Sequence, residues 1–266
     1  MVYSRWHYYV RSIPTLLCGI KNPVRTIRTF LGLEKTFPLL ITLRNGSQFW
    51  VRSPMDIWII KETCLDRDYE ANGTPIENGW NIIDIGAGLG DFAIHAARQN
   101  PRGMVFAYEP SPDSFALLRK NIHLNNTRNV VAFPQAVNGH MQELQLEVGS
   151  GVPVMYSTVS HNHTPDSQVL QVHATTLDML FVDLCLEYCD LLKVDCEGAE
   201  YDIFFHTSEE TLRRVSRVAL EYHNDITPYS HVDLITLLQK QGFGVQHMPN
   251  PAHREIGYLY AERIVS

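Results

Sequence analysis

The stretch Asn81-Ile-Ile-Asp-Ile-Gly-Ala-Gly-Leu-Gly-Asp91 decides how the rest of this 266-residue chain reads. Ile82, Ile83 and Ile85 form a short β-branched run suited to a buried parallel strand, with Asp84 interrupting it. Gly86, Gly88 and Gly90 follow at every second position, and Asp91-Phe92-Ala93-Ile94-His95-Ala96-Ala97 reads as helix. Strand, glycine turn and helix in that order let a ligand approach backbone that carries no Cβ. The N–H groups of the helix N-terminus favour an electron-rich group there.

The spacing is G-x-G-x-G. A dinucleotide fingerprint needs its third glycine at position 91, where Asp91 stands. That carboxylate repels a pyrophosphate and suits a ligand carrying positive charge. After a strand ending in Asp84, the pattern resembles the first motif of the class I S-adenosylmethionine-dependent methyltransferases. Their cofactor has a sulfonium, an ammonium and no phosphate. A nicotinamide oxidoreductase shares the fold, but Asp91 argues against it. A tight βα turn without a ligand is the plainer alternative.

Beyond Asn81 the pattern alternates strand and helix, which predicts an α/β fold with a parallel sheet covered on both faces. Strands are expected at Met104–Tyr108, from Val130, at Leu191–Val194 and at Val218–Leu220, with two closing strands at Phe243–His247 and Glu255–Ala261. Segment 138–175 is too long for a simple connection. It reads as a hairpin (Glu143–Val148 with Val169–His173) around polar chain, a substrate lid or a passive surface loop.

Residues 1–80 read as an extension of helices and a hairpin, and 81–266 as the cofactor domain. Asn45-Gly46 between two apolar runs is a hairpin turn signal, and Ser53-Pro54-x-Asp56 a helix start. Residues 1–35 carry six basic residues and one acid, interleaved with Trp6, Tyr8, Leu16, Ile20, Ile27 and Phe30. A peripheral contact with an anionic membrane is one reading; helices packed on the core with basic side chains outward is the other. The net charge of −7 argues against a nucleic-acid partner. Five cysteines without C-x-x-C spacing fit a reduced, cytoplasmic protein.

Two further clusters carry chemistry. Glu109 follows the second strand, placed to accept both hydroxyls of a ribose. Asp190-Leu-Leu-Lys-Val-Asp-Cys-Glu-Gly-Ala-Glu200 delivers Asp195 to the end of the fourth strand, with Glu197 and Glu200 in the turn. Crowded carboxylates repel one another, which raises pKa values and makes useful bases. Glu221 and His223 end the fifth strand on one face. His223 is a candidate general base; Asp195, Glu197, Glu221 and His223 are also a candidate Mg2+ or Mn2+ set; or these groups simply shape the pocket. Cys196, between two acids, is a poor nucleophile. His95, His140 and His231 read as surface residues, and Cys185 with Cys189 as one buried helix face.

The run from Asp190 to Glu200, with Asp84–Phe92 and Glu109-Pro110 upstream and Gln135-Ala136-Val137, Thr176-Leu177-Asp178 and Glu221-Tyr222-His223 around it, resembles the FkbM-type methyltransferases over about residues 45–262. The resemblance implies a Rossmann-like, seven-stranded sheet of order 3-2-1-4-5-7-6 with strand 7 antiparallel. It implies methyl transfer from S-adenosylmethionine to an oxygen of a sugar, glycan or natural product. Gly86, Gly88 and Gly90 would then pass beneath the methionine part, with Asp84 and Asp91 near its ammonium. Glu109 would hold the ribose, and Gln135 and Ala136 would flank the adenine. Asp195, Glu197 or His223 would serve as base. The Asn/Asp-Pro-Pro-aromatic motif of nucleobase N-methylases is replaced by Asp195-Cys196-Glu197-Gly198.

Overall fold

The computed structural model describes residues 12–71, 73, 75–148, 168–250 and 253–264. His161 and His163, between the expected hairpin strands, and the aromatic residues before position 12 lie outside them. Helix α1 (residues 12–19) packs through Leu16, next to the buried Ile20. Helix α2 (Pro23–Phe30) does the reverse of what its composition suggests. It buries Thr26 and Thr29 and leaves Val24, Ile27 and Phe30 exposed beside Lys21, Arg25 and Arg28.

Strands β1 (Leu39–Thr42) and β2 (Gln48–Val51) form the hairpin around Gly46. Ser53 caps α3 (Pro54–Ile60) by accepting the Asp56 N–H. The chain continues through a π-helical turn (Lys61–Asp66), reverses at Arg67, whose φ is +63°, and enters the short helix α4 (Asp68–Ala71). The hairpin shares a core with the cofactor half: Phe49, Val51 and Ile57 pack with Leu89, Ile94 and Leu117. Asn121 and Asn125 accept the Trp50 and Gln48 N–H groups at 2.8 and 2.9 Å.

The main sheet starts with β3 (Asn81–Ile85), followed by α5 (Asp91–Gln99), β4 (Met104–Tyr108), α6 (Pro112–Asn125) and β5 (Val130–Phe133). An insertion then adds β6 (Ala136–Val137), β7 (Gln142–Val148) and β8 (Gln168–Thr175) as a separate small sheet, with Glu143 opposite His173. After α7 (Leu177–Asp183) come β9 (Leu191–Val194), α8 (Glu200–His206), α9 (Glu209–Arg213), β10 (Arg217–His223), α10 (His231–Lys240), β11 (Phe243–Pro249) and β12 (Ile256–Arg263). Across the sheet the order is β5-β4-β3-β9-β10-β12-β11. The first five strands are parallel, and β12 is antiparallel to both neighbours. This is the expected order and the expected reversed strand.

Alternation along β3 explains the burial of both faces. Ile83 and Ile85 join the core with Leu192, Val194 and Leu220, while Ile82 packs with Ala93, Ala96 and Val105 on the other side. Among the described residues no helix is long and apolar enough to cross a membrane. Helix α7 ends at Asp183, so Cys185 lies beyond it and is exposed, while Cys189 is buried; the expected shared helix face does not form.

Candidate active site

Strand register assembles the site. Ile85 is level with both Tyr108 and Val194. The chain therefore leaves β3, β4 and β9 at one height, and Gly86, Glu109 and Asp195 emerge together at the carboxyl edge. Leu220 pairs with Val194, which sets Glu221 beside Asp195. Open α/β sheets bind ligands at this edge.

The glycine turn is locked to its neighbours. The Gly86 and Ala87 N–H groups both donate to the Tyr108 carbonyl, and the Asp195 N–H donates to the Ile85 carbonyl, each at 3.0 Å. Gly86 has a φ of +76°, and a Cβ there would sit 1.7 Å from the Asp195 carbonyl oxygen, so the two turns touch only because this residue has no side chain. Gly88, at φ +53°, is different: a Cβ there would meet nothing within 4 Å. Its backbone borders open space. Gly90 is the N-cap of α5.

Glu109 is buried, with Oε2 accepting the Gly88 N–H and Oε1 the Ser111 N–H, both at 2.8 Å. Burial pushes its pKa up to about 7, against the pull of those two donors. Each oxygen retains a lone pair for a further donor. Gln135 follows β5 at the same edge and is half-buried. Ala136 begins β6 and is buried with Leu144, Val172 and Ala174. Its methyl faces the core of the insertion, so what it offers at this edge is backbone.

Lys193 is a buried cation of this acidic edge, a role the motif alone did not assign. Its ammonium donates to the Gly86 carbonyl at 2.8 Å and lies 3.1 Å from Asp84 Oδ1 and 3.8 Å from Asp195 Oδ2. Burial alone would lower its pKa; Asp84, Asp195 and Asp91 together raise it. Asp84 is fully buried. Its carboxylate faces the Lys193 ammonium inside the protein. Asp91 is also buried and sits in the first turn of α5, its pKa raised by burial to about 6 while Lys193 and Thr63 oppose the rise.

Asp195 remains partly open, with 27% of its side chain exposed. Tyr69, from α4, donates a hydrogen bond to Asp195 Oδ2 at 2.9 Å. The ring is wedged edge-on against Phe92 and Tyr258. Beside it, Glu70 is gripped by Arg67 and His95, the latter at 2.6 Å. His95 is therefore a buried partner of the extension and not the surface residue its spacing suggested.

Glu197 sits at a φ of +52°, an uncommon conformation for a side chain this size. Burial first, then Asp195 and Glu200, raise its pKa to about 7, although His223 opposes them. His223 is clamped: Nδ1 lies 2.5 Å from Glu200 Oε1 and Nε2 lies 3.4 Å from Glu197 Oε2. Burial lowers its pKa, but Glu200, Glu197 and Asp195 outweigh it and bring it to about 10. Both ring nitrogens thus face carboxylates, and as an imidazolium His223 has no lone pair for a substrate proton. Glu221 is half-buried, its pKa pushed up by burial and then by Asp195. Burial, and after it Glu200 and Asp195, also raises the Cys196 thiol.

The FkbM methyltransferase domain model matches residues 84–245. The chain belongs to the FkbM methyltransferase family. Its relatives include Methyltransferase 1 of Beauveria bassiana, 25% identical over 71% of this chain and 81% of that protein. Another is the 31-O-demethyl-FK506 methyltransferase FkbM of Streptomyces tacrolimicus, 24% identical over 77% of this chain and 89% of that protein. Among solved structures, the FkbM methyltransferase of Methylobacillus flagellatus aligns at 12% identity with a TM-score of 0.47, covering 78% of this chain and 54% of that one.

This FkbM-family chain is a methyltransferase dependent on S-adenosylmethionine, and its residues suit that cofactor. The Gly88 backbone borders open space, and Glu109 offers two buried acceptor oxygens above it. Among the described residues, Asp195, Glu197, Glu221 and His223 do not bring three ligand atoms within 4.8 Å of one another. Among the described residues the one group of three or more His, Cys, Asp or Glu side chains with mutually close ligand atoms is His140, Asp202 and His206, between the start of the insertion and α8.

Proposed function

We propose that this enzyme methylates a hydroxyl of a small natural product, with Glu197 as the base. The observation that carries the reading is the meeting, at one sheet edge, of Glu109 beside the glycine turn with Asp195 and Glu197. Glu109 holds the ribose diol through Oε1 and Oε2, and the Gly86–Gly90 backbone lies under the rest of the cofactor. S-adenosylmethionine, when bound, supplies an electrophilic methyl on a good thioether leaving group. The chain then has two tasks: to align the acceptor oxygen and to remove its proton.

Asp195, fixed by Tyr69 and Lys193, orients the acceptor hydroxyl. Glu197, with a pKa near neutrality, takes the proton, and the His223 imidazolium steadies the carboxylate. A small hydroxylated acceptor is supported by the name of the Streptomyces relative, an O-demethyl-FK506 methyltransferase. Sugars and glycans belong to the same acceptor class. The test is S-adenosylhomocysteine release on a panel of polyketide, terpenoid and glycoside alcohols, with O-methylated product identified by mass spectrometry. Product methylated on nitrogen or carbon would overturn the assignment.

A second reading concerns attachment. Helix α2 turns Val24, Ile27 and Phe30 outward beside Lys21, Arg25 and Arg28, which favours contact with an anionic lipid surface. Sedimentation with phosphatidylserine vesicles, abolished by Val24→Asp with Ile27→Asp, tests it; equal binding to neutral vesicles or none at all would remove it.

A further inference from the structure

We propose that His140, Asp202 and His206 form a binding site for one divalent transition-metal ion, of which zinc is the representative, that clamps the inserted sheet to α8. A ligand atom from each of the three side chains lies within 4.8 Å of the other two. The residues come from two separate segments. His140 follows β6 at the root of the insertion, and Asp202 and His206 stand four residues apart on one face of α8. The two imidazole rings are 4.2 Å apart between centroids.

The surroundings support the ligands. The Gly139 N–H donates to Asp202 Oδ2 at 3.1 Å and orients the carboxylate. His206 Nδ1 is 2.9 Å from the Asp202 carbonyl oxygen and 3.0 Å from Oδ1. A carbonyl can only accept, so Nδ1 carries the proton and Nε2 keeps its lone pair, the arrangement that outer contacts impose on metal-binding histidines. Gly139 makes the approach possible: a Cβ there would lie 2.6 Å from the Asp202 carbonyl oxygen and 2.7 Å from His206 Nδ1.

Two imidazoles and one carboxylate are borderline donors. They select zinc, cobalt, nickel or copper over magnesium or calcium, and three protein ligands leave a position for water. Asp202 stands two residues after Glu200 on α8, so the site adjoins the reaction edge through that helix. Its effect on the fold follows from α8, whose first residue, Glu200, holds His223. An ion here ties that helix to the insertion.

The full chain, free of any histidine tag and stripped with chelator, is titrated with Co2+ followed by absorption and with Zn2+ followed by calorimetry and thermal unfolding. One ion per chain is expected, with visible cobalt bands of low coordination number and a higher thermal midpoint. His140→Ala and His206→Ala should each weaken binding by about tenfold or more and abolish the thermal shift. All three side chains are at least partly exposed, so metal-free melting of the variants should match wild type. The stacked pair His231 and His247, 4.5 Å apart, serves as the control, and their double alanine variant should bind as wild type does. No stoichiometric ion, wild-type affinity in His140→Ala and His206→Ala, or loss confined to the control variant would overturn the proposal.

Discussion

The phenolic oxygen of Tyr69 donates a 2.9 Å hydrogen bond to Asp195 Oδ2, joining residues 126 positions apart. Burial, and after it the charges of Asp195 and Glu221, push the phenol pKa well above its usual value, so Tyr69 remains a donor throughout the physiological range. The Lys193 ammonium stands 5.4 Å from the centre of its ring. The N-terminal extension thus contributes a positioning group to the reaction edge. A hydrogen bond to a charged group contributes about 1.5–3 kcal/mol, so Tyr69→Phe should lower kcat by roughly ten- to a hundredfold. Calorimetry should find its S-adenosylmethionine affinity unchanged. Full turnover in Tyr69→Phe would remove this role.

Glu197 carries the pH dependence. With a pKa of about 7 it is protonated below neutrality and cannot accept the acceptor's proton there. At saturating cofactor, kcat should rise with pH through about 7 and level off above it, and Glu197→Gln should flatten that limb and lower the plateau. Glu109 also titrates at about 7, but its protonation acts on cofactor affinity, which calorimetry at each pH reads separately. An unchanged limb in Glu197→Gln would move the base elsewhere.

The clamp on His223 makes a prediction about stability. Its pKa rises from 6.5 in the unfolded chain to about 10 in the folded one, so the folded state holds the proton more tightly. The stabilisation is full below pH 6.5 and is lost as pH rises towards 10. Glu197 shifts in the same direction, but its window closes at about 7. Between about pH 8 and 10 the buried Cys64, Cys189 and Cys196 thiols, raised by burial, add a slope of the same sign, so the share of His223 is read as the difference between wild type and His223→Asn in urea unfolding. Glu200→Ala removes the nearer of the two carboxylates that hold a buried imidazolium and should cost about 3–5 kcal/mol near neutrality. A His223→Asn slope equal to that of wild type would contradict the clamp.

Gly86 and Gly88 should respond oppositely to alanine. A methyl on Gly86 collides with the Asp195 carbonyl at 1.7 Å and would force β3 and β9 apart, so Gly86→Ala should lower the thermal midpoint sharply. A methyl on Gly88 meets no protein atom within 4 Å. Gly88→Ala should therefore fold, with about 1 kcal/mol of left-handed strain, and lose cofactor affinity because the methyl enters the ligand's space. A stable Gly86→Ala, or undiminished affinity in Gly88→Ala, would count against this account of the turn.

What could be read from the chain alone was whatever local spacing encodes. The glycine turn, Glu109 after β4 and Asp195 after β9 sit at fixed offsets from strand ends, and the parallel register carries them to one edge. Lys193 left a legible trace, since a lysine in a wholly buried strand demands carboxylates, but which ones depends on the rows beside it. Tyr69 left none. It reaches Asp195 from a four-residue helix through the reversal at Arg67 and the packing of Phe92 and Tyr258. His223 was placed correctly on its strand, yet its charge comes from Glu200, which only the docking of α8 brings within 2.5 Å. The burial of Ala136 was not legible, because two residues of β6 pair with β8 and join the insertion.

The most direct test of the central claim is a calorimetric titration of S-adenosylmethionine into wild type, Glu109→Ala and Asp195→Asn. The account predicts one site per chain, weakened by roughly tenfold or more in Glu109→Ala through loss of the ribose acceptors and nearly unchanged in Asp195→Asn, whose turnover nonetheless collapses. Absence of binding to wild type, or equal affinity in wild type and Glu109→Ala, would contradict it.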